Sequence, residues 1–259
     1  MTFFEVRNAN VWRGDTLALR DFSLDLREGE SVAILGPNGA GKSTLLGLLN
    51  GELRAEARPG TSVRLFGDDL WALWDIRAMI GVVMPEDVKR FDAEETGLDA
   101  VRSSFRGAFG RTRDMRFSKR ETSDSLAAME RMNVVHLAER EFGRLSSGEQ
   151  RRILIARALV HDPRVIVLDE PSTALDFAAS IELGKLLREL PASGHTLVWV
   201  THHPGEIPPE VERAVLLRNG RVFADGPKRR VLTSEKLSDL YQVGLTVRWS
   251  KAWCEVRGV

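Results

Sequence analysis

Eight consecutive residues, Gly36-Pro37-Asn38-Gly39-Ala40-Gly41-Lys42-Ser43, fit the pattern G-x-x-x-x-G-K-[ST] in full. Three glycines let the backbone curl so that successive N–H groups point inward, and a following helix adds the positive end of its dipole. In that setting Lys42 would reach the β- and γ-phosphates of a nucleotide, Ser43 would ligate Mg²⁺, and Thr44 would donate to the neighbouring phosphate. The chemistry needs a strand before the loop and a helix after it. Residues 31–35 (Ser-Val-Ala-Ile-Leu) are short, apolar and β-branched, as a strand buried on both faces should be, and residues 43–49 read as a helix. Without those flanks the motif is a glycine turn; with them it is a nucleotide phosphate site.

A second group of residues supplies carboxylates. Residues 165–168 (Val-Ile-Val-Leu) run into Asp169-Glu170 and then Pro171. An apolar strand ending in two acids delivers them to the carboxyl edge of a parallel sheet, where ligands of such folds sit. Asp169 would hold Mg²⁺ through water beside Ser43, and Glu170 would orient and deprotonate the attacking water. Adjacent strand residues face opposite ways, so the strand must end at Asp169 for Glu170 to turn toward the phosphate. A third group, Leu145-Ser146-Ser147-Gly148-Glu149-Gln150-Arg151, stands at the head of a strong helical pattern over residues 149–159. Small hydroxyl residues and glycine there form a second anion-ready helix start, although alone they are only a good cap.

Taken together, these motifs resemble the ATP-binding cassette (ABC) ATPases over nearly the whole chain. The resemblance implies a head-to-tail homodimer with two ATP molecules between the copies. Ser146, Ser147 and Gly148, with Glu149 in the same signature, would then meet the γ-phosphate held by the second copy. It also makes residues 172–176 (Ser-Thr-Ala-Leu-Asp) the dimer-contact loop, with Asp176 communicating between the two sites. His202 becomes the switch histidine that bonds the γ-phosphate and the attacking water, and Trp12 the aromatic that stacks on adenine. Unaided, His202-His203 reads as a metal pair or a solvated loop, and Trp12 as a core residue; in the resemblance His203 is a bystander.

Two positions depart from the family pattern. Pro85 follows the strand of residues 80–84, where most cassettes have Gln, so the usual side-chain contact to Mg²⁺ and water is missing; Glu86 could supply an oxygen instead. Ser147 replaces the usual glycine and is small enough to leave the helix start usable. Residues 201–208, the missing Gln and the single cassette resemble a subgroup labelled molybdenum-transport or photorepair-like, which fixes no substrate.

The elements that must position these groups follow from periodicity. Residues 3–11 and 21–26 alternate loosely at period two, as half-buried strands do. A hairpin is expected over residues 60–70, and helices over 124–135, with Leu126, Met129 and Met132 on one face, and over 181–190. Residues 197–200 read as a third buried strand, and Asn219-Gly220 turns a hairpin between 214–217 and 221–223. Strands alternating with helices predict βαβ units and a mainly parallel sheet. Between them, residues 86–99 are mostly acidic and residues 102–120 mostly basic, with Phe105, Phe109 and Phe117 interleaved. The basic run suits either nucleic-acid stacking or, as preferred here, the solvated face of a helical insert turned toward a partner.

Composition bounds the rest. The 259 residues carry 37 Lys+Arg against 37 Asp+Glu, and a zero net charge removes the case for a general nucleic-acid or membrane-surface binder. A single cysteine, Cys254, allows no intramolecular disulfide and no cysteine metal cage, and points to a reduced, cytosolic home. The first residues lack the basic-then-apolar pattern of a signal peptide, and no apolar run reaches the roughly 18 residues of a membrane span. The expected fold is α/β: a P-loop NTPase core with a mainly parallel sheet, an N-terminal antiparallel β layer and an inserted α-helical subdomain. Residues 1–259 form a single ABC ATPase domain, with 1–84 and 161–259 as the ATP-binding core and 85–160 as the helical subdomain. The resemblance implies an ATPase with ATP and Mg²⁺ as cofactors, dimerising to drive a separate membrane permease from the cytoplasmic face. A soluble cassette acting as a mechanical switch in repair, translation or cofactor assembly is the alternative. No nucleic-acid partner is expected.

Overall fold

The computed structural model describes residues 1–259 apart from the side chain of Leu73. In chain order the elements begin with β1 (Thr2–Arg13), β2 (Thr16–Arg27), β3 (Val32–Leu35), α1 (Lys42–Leu49), β4 (Ser62–Leu65), α2 (Leu73–Met79) and β5 (Ile80–Val83). Then come α3 (Gly97–Arg102), α4 (Lys119–Arg131), α5 (Ser147–Leu159), β6 (Val165–Asp169), α6 (Phe177–Arg188) and β7 (Thr196–Thr201). The chain closes with β8 (Arg213–Arg218), β9 (Arg221–Pro227), α7 (Lys228–Val231), α8 (Ser234–Tyr241), β10 (Leu245–Ser250) and β11 (Trp253–Gly258). These elements gather into two compact units, residues 1–76 with 194–259, and residues 77–193. The second unit reaches past residues 85–160 on both sides, taking in β5, β6 and α6.

In the first unit, β3 lies parallel to both β7 and β8, and β8 is antiparallel to β9. All residues of β3 and β7 are buried, which is why both read as unbroken apolar runs rather than alternating ones. A separate antiparallel sheet in the order β2-β1-β4 forms the N-terminal layer. The hairpin expected over residues 60–70 does not form. β4 pairs with β1, and beyond it the chain makes only a tight turn with a Leu65–Asp68 bridge, Phe66 and Gly67 standing at φ 49° and 95°. Leu65 is buried by pairing with β1 whereas Leu70 is 82% exposed, so a second arm would have no apolar face to cover. The turn at Asn219 and Gly220, with φ 52° and 74°, is as the dipeptide predicts. The antiparallel β10–β11 hairpin is an element the sequence reading did not include.

In the second unit, β5 and β6 are parallel, and helices α3, α4 and α5 pack together. Capping residues set the helix starts. α4 begins at Lys119 rather than 124 because Ser118 accepts the Glu121 amide while Glu121 accepts the Ser118 amide. α6 begins at Phe177 rather than 181 because Asp176 accepts the Ala179 amide at 2.8 Å. The acidic and basic runs fold onto one another. Arg102 pairs with Asp99, and Arg111 sits 3.4 Å from Asp99 and donates its amide to Glu95 at 2.9 Å. The guanidinium groups of Arg90 and Arg157 both lie over the Phe109 ring, 3.3 and 4.1 Å from its centroid. Phe117 lies under Arg102, and Phe105 is edge-on to His161. The three interleaved rings thus have intramolecular partners. Among the described residues, no helix is long and apolar enough to cross a membrane.

Candidate functional site

The phosphate loop is shaped by what surrounds it. Gly41 caps α1 from the left-handed region at φ 105°, and Gly39 stands at φ 79°. Gly36 leaves no room for a side chain: an added Cβ would lie 2.5 Å from the Leu217 carbonyl of β8. The β8–β9 turn buttresses the loop, because the Gly220 amide donates to Ala40 O at 3.1 Å while Gly220 O accepts the Arg20 amide at 3.0 Å. At the head of α1, Ser43 is exposed and Thr44 is buried. The Lys42 ammonium curls back over its own loop and donates to Gly36 O at 2.6 Å.

Two other residues named from sequence share this unit. The parallel register pairs Leu35 with Thr201, so Gly36 and His202 leave neighbouring strands at the same carboxyl edge. The His202 and His203 rings lie against each other tilted by 45°, with centroids 3.7 Å apart, and Tyr241 donates its hydroxyl to His202 O at 3.1 Å. Trp12, at the end of β1, is 47% exposed, and its indole N–H donates to Glu56 at 3.2 Å. An exposed indole held by its polar edge offers a flat stacking face.

The second unit holds the carboxylates and the signature. β6 ends at Asp169, and Glu170 takes φ 47°, so the chain turns sharply where the sequence reading required it. Val83 pairs with Leu168, placing Pro85 and Glu170 beyond the same edge of this strand pair. Pro85 opens a 3₁₀ turn in which Glu86 is exposed and Asp87 buried. Asp87 accepts the Met84 amide at 2.9 Å; burial raises its pKa, and that hydrogen bond together with the charges of Arg90 and Arg157 opposes the rise. Behind it, burial lowers the pKa of Arg151, and the charges of Asp87, Asp169 and Glu86 oppose that. Ser146 and Ser147 are exposed at the head of α5, and Gly148 packs where a Cβ would come 3.0 Å from Ala179. The Ser146 amide holds the Glu149 carboxyl below the usual range.

A glycine loop between a buried strand and a helix, a paired acid after a second strand and a capped serine-glycine helix start are the parts of a nucleotide-hydrolysing cassette. The family model described as ABC transporter matches residues 19–173, more than half of the chain. This chain belongs to the ABC transporter family. The cassette is 38% identical over 240 residues to the cobalt import ATP-binding protein CbiO of Rhodobacter capsulatus, covering 90% of this chain and 80% of that one. It is 33% identical to the hemin import ATP-binding protein HmuV of Vibrio parahaemolyticus, covering 91% and 89% of the two chains. It is also similar to the solved dimeric structure of the cassette MJ0796 in a post-hydrolysis state with ADP and Pi. That match has a TM-score of 0.71 at 27% identity and covers 87% of this chain and 99% of that chain. The cassette is an ATPase, the ATP-binding subunit of an ABC transporter.

Sequence reasoning missed several residues around these motifs. Glu56, which holds the Trp12 ring, sits in a segment with no periodic signal. Asp87 looked like one acid among six in its run. Gly220 signalled a turn but not a buttress for the phosphate loop. Tyr241, the one tyrosine in the sequence, lies far along the chain from the histidine it touches.

Proposed function

We propose that two copies of this cassette close head to tail around two Mg-ATP, hydrolyse them and reopen, driving a separate membrane permease from its cytoplasmic face. The observation that carries this reading is the β3–β7 register, which sends the phosphate loop and His202 out of one sheet edge. In this reading Lys42 and the loop amides hold the phosphates while Trp12 stacks on the base. The fit for nucleotide rests on Gly36, Gly39 and Gly41, which allow the curled backbone of a phosphate loop: Gly36 and Gly41 pack too closely on Leu217 and Leu19 for a side chain, and Gly39 and Gly41 take positive φ. Ser43 and Asp169 would place Mg²⁺, which supplies charge neutralisation of the phosphates; an exposed hydroxyl and a carboxylate are ordinary donors for it. Glu170 acts as the general base and His202 stabilises the transition state.

Ser146, Ser147, Gly148 and Glu149 of one copy complete the site of the other, and Asp176 lies between the two. The solved dimeric structure of MJ0796 supports dimerisation in general. The import-system relatives support a permease partner. Their names differ in cargo, and the likeness of residues 201–208 and Pro85 to the molybdenum-transport or photorepair-like subgroup adds no substrate. One observation favours the soluble-switch alternative: Pro85 brings no side-chain oxygen or nitrogen to the loop beyond β5. Glu86 is exposed there as a substitute ligand, and a Glu86→Ala variant with unchanged Mg²⁺-dependent turnover would remove it from that role.

The test is ATP-dependent dimerisation. Glu170→Gln, analysed by size exclusion at saturating Mg-ATP, is expected to elute as a trapped dimer; persistent monomers sink the sandwich. A permease that co-purifies from solubilised membranes separates transport from the soluble switch.

A further inference from the structure

Three elements C-terminal to β9 attach to the loop that follows β7. From α8, the Tyr241 hydroxyl donates to His202 O at 3.1 Å. From α7, the buried Lys228 ammonium donates to Pro208 O at 2.7 Å, and the Lys228 amide donates to Glu212 O at 2.6 Å. From β11, the buried Cys254 turns its carbonyl to Gly205, where an added Cβ would come within 3.3 Å. The three attachments reach the loop at its first residue, near its middle and near its end. Within the loop, Thr201 Oγ1 accepts the His203 amide at 3.0 Å, which holds the exit from β7, while the Tyr241 hydroxyl holds the His202 carbonyl from α8.

We propose that residues 228–259 form a clamp that sets the position of His202, with Tyr241 as a positioning residue acting through the His202 carbonyl. The proposal rests on the reading of His202 as the group that bonds the γ-phosphate. Holding the His202 carbonyl orients its peptide plane and restrains ψ at His202, which steadies the backbone from which the Cα–Cβ bond carries the imidazole. A ring held this way needs no reorientation when the phosphate arrives, and preorganised donors of this kind act on the transition state more than on binding. Lys228 and Cys254 anchor the remainder of the loop, so removing the Tyr241 hydroxyl loosens the hold on the His202 carbonyl without unfolding the segment.

The experiment uses the full chain and single-turnover hydrolysis with the cassette in excess over Mg-ATP, so that slow variants remain measurable. Four proteins are compared: wild type, Tyr241→Phe, His202→Ala and the double variant. Loss of one hydrogen bond of ordinary strength corresponds to about a five-fold fall in rate. Tyr241→Phe is expected to lower the hydrolysis rate by about five-fold, with nucleotide affinity within about two-fold of wild type. On the His202→Ala background the same change is expected to have no further effect. A wild-type rate in Tyr241→Phe overturns the clamp, as does an undiminished five-fold loss on the His202→Ala background. If His202→Ala itself hydrolyses at the wild-type rate, the reading of His202 fails first, and that outcome is distinct from the other two. A melting midpoint for Tyr241→Phe close to wild type, with the rate lowered, separates positioning from a loss of fold.

Discussion

Ser146 and Glu149 close the start of α5 on each other: the Ser146 amide donates to Glu149 Oε2 at 2.8 Å, and the Glu149 amide donates to Ser146 Oγ at 3.3 Å. The signature is therefore also the helix's own cap. Glu149→Ala should cost about 1 kcal/mol, the ordinary value of a lost cap. The measurement is a urea midpoint, with Glu149→Gln retaining most of the stability; equal midpoints for Glu149→Ala and wild type would contradict it.

The Trp12–Glu56 contact predicts a split between affinity and rate. Stacking of a base on an aromatic ring is worth about 1–3 kcal/mol, so Trp12→Ala should raise KM for ATP at least about five-fold while kcat changes little. Glu56→Gln leaves the ring in place and should move KM less than Trp12→Ala does.

Gly36→Ala tests the fit of the phosphate loop. The added methyl would meet the Leu217 carbonyl at 2.5 Å, a backbone atom that can yield only if β8 shifts. The variant should lose nucleotide affinity and be destabilised by about 2 kcal/mol or more, as overpacked sites are. Gly14→Ala, a control with nothing nearby but a positive φ of 55°, should lose some stability and keep its affinity for nucleotide.

Acid stability has a named contributor. Arg106 and the Ser118 amide pull the Glu121 carboxyl from 4.5 down to about 2. A carboxylate with a lowered folded pKa stabilises the fold fully above the unfolded value and loses that contribution as pH falls toward the folded one. The window is therefore pH 4.5 to 2. Glu121→Gln should flatten the fall of melting temperature in that window, and an unchanged slope would count against the assignment.

Motif-scale features were readable because their causes are local. Glycine spacing, strand burial on both faces and capping residues each act within a few residues, and they located β3, α1, β6 and α5 to within a residue or two. The starts of α4 and α6 were misplaced because apolar periodicity was followed past caps at Ser118 and Asp176. The hairpin over residues 60–70 failed for a non-local reason, since β4 is stabilised by β1, nearly sixty residues earlier. The β10–β11 hairpin escaped notice because it buries little, Cys254 being its one buried residue. Contacts such as Tyr241 on His202 link positions whose separation along the chain carries no pattern.

Glu170 occupies a left-handed conformation at φ 47°, which only glycine adopts without penalty. A glycine there would relax the turn by about 1 kcal/mol at most, and it would remove the carboxylate proposed as the base. Glu170→Gly should then melt at or above the wild-type temperature while hydrolysing no ATP. The cassette thus carries a small standing instability at the residue proposed to activate water, and on that reading selection for thermal robustness alone would erase its turnover.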